Sequence, residues 1–130
     1  MTASTRAVEL TTAAAEAASD KLANDIVAFD VSDRLVFTDA FLLCSAANDR
    51  QVRAVLDEIE DRLHHLGARP IRREGVREGR WVLLDYGELM VHVQQAEERQ
   101  YYSLERLWKD CPRIELPESV RDGRRPATRG

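Results

Sequence analysis

The chain has 130 residues, 44% apolar and 32% charged with the signs interspersed, the make-up of one globular domain that needs no disulfide or structural metal. A net charge of -4 argues against a partner made of bare nucleic-acid phosphate and suits a basic protein instead. No apolar run reaches the roughly 20 residues of a membrane span, and Glu9, Glu16 and Asp20 stand where a basic leader would be, so a cytoplasmic location is expected.

Residues from about Thr5 to Asn24 are rich in Ala, Glu, Leu and Lys, with Val8, Ala15, Ala18 and Leu22 near helical spacing. This predicts a helix ended by Asn24 or Asp25. Ile26–Val31 and Ala40–Ala46 read as strands, separated by the turn cluster Ser32-Asp33-Arg34. Asn48 or Asp49 caps the next helix, in which Val52, Val55, Leu56, Ile59, Leu63 and Leu66 form one stripe and Gly67 is placed to close it. Arg69–Arg73 reads as a polar strand leading into Glu74-Gly75.

The segment Arg80–Val93 predicts a hairpin with unlike faces. A turn at Tyr86-Gly87 sets Val82 opposite Val91 and Leu84 opposite Leu89, one apolar row toward a core. The other face carries Trp81, Leu83, Asp85, Met90 and His92, an anchor-like patch that reads as a docking surface. The competing expectation is that the amino-terminal helix covers it, because sheets in α/β proteins usually pack on both faces.

Ser103 is placed to cap a short last helix carrying Leu104, Leu107 and Trp108, and Pro112 stops it. Beyond Pro112 periodicity ceases, and the last ten residues combine Gly, Pro and four Arg. Residues 1–111 are therefore expected to form the domain and 112–130 a disordered tail. This element order gives an α/β layer protein with a mixed five-stranded sheet, since the long helix should connect parallel strands.

Residue chemistry points away from catalysis. His64-His65 are adjacent on a helix, so their rings diverge and cannot share a metal, while cations suit a helix carboxyl end. His92 has no second ligand at metal spacing and is expected to pair with Asp85 or a partner. Cys44 sits beside Leu42 and Leu43 as a buried, inert thiol, and neither it nor Cys111 belongs to a C-x-x-C spacing. Neither G-x-G-x-x-G nor G-x-x-x-x-G-K-[ST] occurs, and carboxylate pairs such as Asp57-Glu58 and Glu97-Glu98 read as solvated faces. Trp108 and Tyr102 have the spacing of core residues.

Several motifs in one order carry a resemblance: Thr38-Asp-Ala-Phe41, Asn48-Asp-Arg-Gln-Val52, Glu74-Gly75, Trp81-Val-Leu-Leu-Asp85, Val91-His92 and Arg99-x-Tyr-Tyr-x-Leu-Glu-x-Leu-Trp108. From about Val8 to Asp110 the chain resembles the ribosomal silencing factor family, also called RsfS or Iojap. The resemblance implies a non-enzymatic translation factor without cofactor or metal. Such a factor binds the large ribosomal subunit through ribosomal protein number fourteen and blocks joining of the small subunit when nutrients are short. It further implies a homodimer when free, at most a minor contact with ribosomal RNA, and a nucleotidyltransferase-like topology lacking the active site, since Ser45-Ala-Ala-Asn-Asp49 replaces the glycine-serine loop. The contact set it implies is Trp81, Leu83, Asp85, Met90 and His92, with Arg99, Tyr101, Tyr102 and Glu105 beside them. Ala40, Met90 and Gln94 depart mildly from the family pattern. The alternative, a nucleotide-binding enzyme of the nucleotidyltransferase kind, would require nucleotide and magnesium binding.

Overall fold

Ser4 starts the first helix, α1 (Thr5–Asp20), by accepting a hydrogen bond at Oγ from the Ala7 N–H at 3.0 Å. In the computed structural model, which describes residues 2–120, α1 is followed by β1 (Asn24–Asp30), β2 (Ala40–Ala46), α2 (Asp49–His65), β3 (Arg72–Glu74), β4 (Trp81–Asp85), β5 (Leu89–Gln95), α3 (Ala96–Tyr102) and α4 (Leu104–Leu107). The strands form one mixed sheet in the order β1-β2-β5-β4-β3, parallel between β2 and β5 and antiparallel elsewhere. As expected, the long helix leaves β2 and returns to a strand of the same direction, although β3 lies at the far edge of the sheet.

The stripe of α2 behaves as its spacing predicts: Val52, Val55, Leu56, Ile59 and Leu63 are buried, and Asn48 Oδ1 accepts from the Gln51 N–H at 2.9 Å. Gly67, at φ +82, closes it while the Ala68 N–H reaches back to the Leu63 carbonyl. Helix α1 instead buries Ala7, Ala14, Ala15, Ala17 and Ala18 completely, small side chains that let it lie close to both α2 and the sheet. It ends earlier than expected, because Leu22 turns left-handed at φ 65 while the Ala23 N–H bonds the Ala18 carbonyl at 3.0 Å. Leu22 therefore leaves the apolar stripe and is 72% exposed.

Both long helices cover the same sheet face, the one carrying Val82, Leu84, Leu89, Val91 and Val93. The hairpin register differs from expectation. Tyr86 pairs with Leu89 across a Gly87-Glu88 loop, so Val82 faces Val93 and Leu84 faces Val91. Gly87 supplies the positive φ (+84) at the first loop position, which moves the turn by one residue and the pairing by two. An even shift preserves the faces, so the two-faced reading survives.

The opposite face holds a smaller core of Val27, Phe29, Val31, Phe41, Leu43 and Met90, covered by Leu104, Trp108 and Cys111 from the carboxyl-terminal segment. Ser103 does not cap the last helix with its side chain. It sits left-handed at φ 48, donates Oγ–H to the Gln100 carbonyl, and splits the segment into α3 and α4.

Residues 112–120 are not loose either. The Asp30 N–H donates to the Pro112 carbonyl at 2.8 Å, the Ile114 N–H donates to the Ala28 carbonyl at 3.0 Å, and the Arg113 guanidinium lies over the Phe29 ring. Val120 is buried, with Ile114 and Leu116 packed on the main core. The segment straps the open edge of β1, which an absence of periodicity could not reveal; residues 121–130, where the arginine-rich part of the expected tail falls, lie outside the described residues. Truncation after Cys111 is accordingly expected to lower unfolding free energy by about 3 kcal/mol or more, given roughly 1.5–3 kcal/mol for each apolar side chain fully buried. Truncation after Val120 keeps these contacts. Urea melts of the two shortened chains check the difference.

Candidate docking surface

Alternation along β4 and β5 sends Trp81, Leu83, Asp85, Met90 and His92 to the face away from α1 and α2, so the amino-terminal helix does not cover them. The carboxyl-terminal segment covers only part of this face. Trp81 and Leu83 remain half-buried, while Met90 and His92 drop to 8% and 9% exposure.

The aromatic rings form a continuous chain. Trp108 meets Phe41 edge-on at 5.2 Å, Phe41 meets the His92 ring at 5.1 Å, Trp81 lies 4.8 Å from Tyr102, and Tyr102 stands edge-on to Tyr101 at 4.9 Å. The link between the two ends is a hydrogen bond, Trp81 Nε1–H donating to His92 Nδ1 at 3.1 Å. The outer end of the chain is open: Tyr101 is 80% exposed and Tyr102 50%. Tyr102 is therefore no core residue, whereas Trp108 packs on the smaller core as its spacing suggested.

Asp85 and Arg99 act inside the protein. Asp85 accepts from the Gly87 N–H at 2.8 Å and from Arg72 Nε at 3.1 Å, which secures the hairpin turn and leaves it 9% exposed; it does not pair with His92. Arg99, 7% exposed, sets Nε 3.1 Å from both carboxylate oxygens of the half-exposed Glu105 and so clasps α3 to α4. Of the nine residues in the implied contact set, Trp81, Leu83, Tyr101, Tyr102 and Glu105 reach solvent, while Asp85, Met90, His92 and Arg99 are buried beneath them.

Strand β3 adds residues the sequence reading did not include. Cross-strand pairing puts Arg72 beside Asp85 and Glu74 beside Leu83, and Arg72 also bridges to Glu74, so a charged rim runs along the apolar patch. The signal was present in the polar Arg69–Arg73 segment, but only the sheet order shows which face it borders. At the other end, Arg80 donates to Glu98 at 2.7 Å and holds α3 against the start of β4.

The remaining reactive groups are quiet. Cys44 is wholly buried and burial pushes its thiol up to about 12, which keeps it protonated. Among the described residues no group of three or more His, Cys, Asp or Glu is arranged to hold a metal, and no helix is long and apolar enough to cross a membrane.

Burial pushes the His92 imidazole down to about 4 from an ordinary value of 6.5. The unfolded chain therefore takes up a proton that the native state refuses, and this contribution to stability is complete above about pH 6.5 and lost as pH falls toward 4. A loss of up to about 3 kcal/mol across that window is expected from urea melts at successive pH values. His92→Asn should flatten the same profile.

The sequence comparison matches the model of a family described as "Ribosomal silencing factor during starvation" over residues 4–129. The chain belongs to the ribosomal silencing factor family. It is similar to the ribosomal silencing factor RsfS of Bacillus subtilis, 44% identical across 79% of this chain and 87% of that protein. Among solved structures, this family member resembles a Bacillus halodurans protein at TM-score 0.73 and 38% identity, covering 83% of this chain and 98% of that one. It also resembles a Chromobacterium violaceum protein at TM-score 0.75 and 28% identity, covering 92% and 97%. The resemblance stated from motifs and the mixed α/β fold are thereby both confirmed for this silencing factor.

Proposed function

We propose that the protein silences ribosomes by docking on the large subunit through the Trp81 face, with ribosomal protein number fourteen as its partner, and that it acts by occupying space. The observation that carries this reading is the uncovered half of the β4–β5 face, where Trp81, Leu83 and Tyr102 sit on a packed floor of Phe41, Met90 and His92. Aromatic anchors at the centre of a patch, already ordered and ringed by charge, are what a protein-binding hot spot requires. The chain's net charge of -4 complements a basic ribosomal protein and steers its approach, while Glu74 and Glu105 at the rim are each already paired with an arginine. Ribosomal RNA contributes at most a minor contact.

No chemistry is needed for silencing. A body seated where the small subunit joins excludes it, and nutrient limitation is the condition under which such a block is useful in the cytoplasm. When free, the protein is a homodimer in this reading. The test mixes separated subunits with the purified protein and follows joining by light scattering and gradient sedimentation. Free subunits should accumulate in proportion to added protein; unchanged joining at saturating protein would overturn the reading.

A further inference from the structure

Histidine at position 92 is an expensive choice. The residue lies in the middle of β5, between Leu43 of β2 and Leu83 of β4, and is 9% exposed among apolar and aromatic neighbours. An aliphatic side chain would fill that place without burying polar atoms. Its Nε2 is buried with no hydrogen-bond partner among the described residues, so the return on burying the ring comes through Nδ1 alone. That atom accepts from Trp81 Nε1–H at 3.1 Å.

An indole N–H donates and never accepts, so the bond requires a bare Nδ1, and the proton of the neutral ring must sit on Nε2. Phe41, packed 5.1 Å from the imidazole and itself held edge-on by Trp108, keeps the ring from turning. The acceptor is therefore fixed in place before any partner arrives. Trp81, by contrast, is only partly buried and in β4, beside a short edge strand that does not reach it. Without a polar tether its ring would sample several rotamers, and docking would have to freeze them.

We infer that His92 is a positioning residue, which touches no partner and orients the Trp81 indole for docking through the Nε1–H to Nδ1 hydrogen bond. This deepens the Proposed function and rests on the Trp81 face being the docking surface. The positioning itself is readable without a ribosome. Removing the acceptor should release the indole, and freezing it again on docking should cost about tenfold in affinity.

The experiment records the indole N–H resonances of the full-length protein by nitrogen-15 correlation spectroscopy, with Trp81→Phe used to assign the Trp81 signal. In the parent chain that N–H should exchange slowly with solvent, and rapid exchange there would overturn the inference with no variant needed. In His92→Leu, which keeps apolar bulk, the signal should move toward that of a solvent-bonded indole and large-subunit binding should weaken about tenfold. His92→Asn, which places an amide oxygen near the Nδ1 position, should restore both in part; a Trp81 signal unmoved in His92→Leu would overturn the inference. If Trp81→Ala leaves subunit binding unchanged while the indole signal still follows His92, the docking reading has failed and the positioning has not.

Discussion

Gly75→Ala is expected to destabilise the protein by at least about 3 kcal/mol, more than any other single methyl addition considered for its glycines. Two independent costs combine there. The backbone at Gly75 has φ +81, a left-handed conformation that residues with a Cβ adopt only under strain. A Cβ at that position would also lie 2.1 Å from the Trp81 carbonyl oxygen, which belongs to strand backbone and cannot rotate away. Relief requires moving either the β3–β4 connection or the start of β4, and the second carries Trp81 with it. The variant should therefore lose large-subunit binding along with stability. Gly79→Ala is the control, since φ +70 strains it as well but the nearest atom, Asp49 Cβ, is 3.2 Å away on a side chain. A cost of about 1 kcal/mol is expected there. Denaturation of the two variants side by side separates close approach from backbone strain, and equal losses would show that the contact with Trp81 is not limiting.

Trp81→Ala is expected to weaken binding to the large subunit by about 2 kcal/mol or more, roughly thirtyfold, as loss of a central aromatic anchor does. The loss has three parts in this structure: the apolar area of a partly buried indole, its packing 4.8 Å from the Tyr102 ring, and its hydrogen bond to His92. Stability should fall less, by about 1 kcal/mol, because the side chain is only partly buried and no internal cavity opens. Cosedimentation with separated large subunits checks the first number and thermal unfolding the second. Binding that matches the parent chain would remove Trp81 from the site and take the proposed docking face with it. Tyr101→Ala offers a graded comparison, since that ring is 80% exposed and, among the described residues, has only Tyr102 as an aromatic neighbour.

The parts of the fold that could be read from sequence are those specified by neighbours along the chain. Helix α2 has its cap at Asn48, its stripe from Val52 to Leu63 and its glycine stop at Gly67 within one short stretch, and each behaves as its chemistry predicts. Where a boundary depended on a distant contact the reading slipped. Leu22 ends α1 although it is no usual left-handed residue, because Ala23 is drawn into the core behind it. Ile114, Leu116 and Val120 follow no period, and Val120 is buried and the other two partly buried only because β1 is an edge with room beside it. On the candidate surface, Trp81, Leu83, Tyr101, Tyr102 and Glu105 reach solvent while Asp85, Met90, His92 and Arg99 lie beneath them, a division that the motifs did not indicate.

Sequence alone determined the alternation of Arg80–Val93 and hence that Trp81 and His92 share a face opposite Val82 and Val91, because side-chain direction in a strand is a matter of counting by two. It could not determine which half of that face stays open. Tertiary structure decided this by laying α1 and α2 together on the other side and folding the segment from Leu104 to Cys111 over a core drawn mainly from β1, β2 and β5, with Leu83 of β4 only at its margin. Exposure depends on what the rest of the chain covers, and that is settled only when distant segments compete for the same apolar surface.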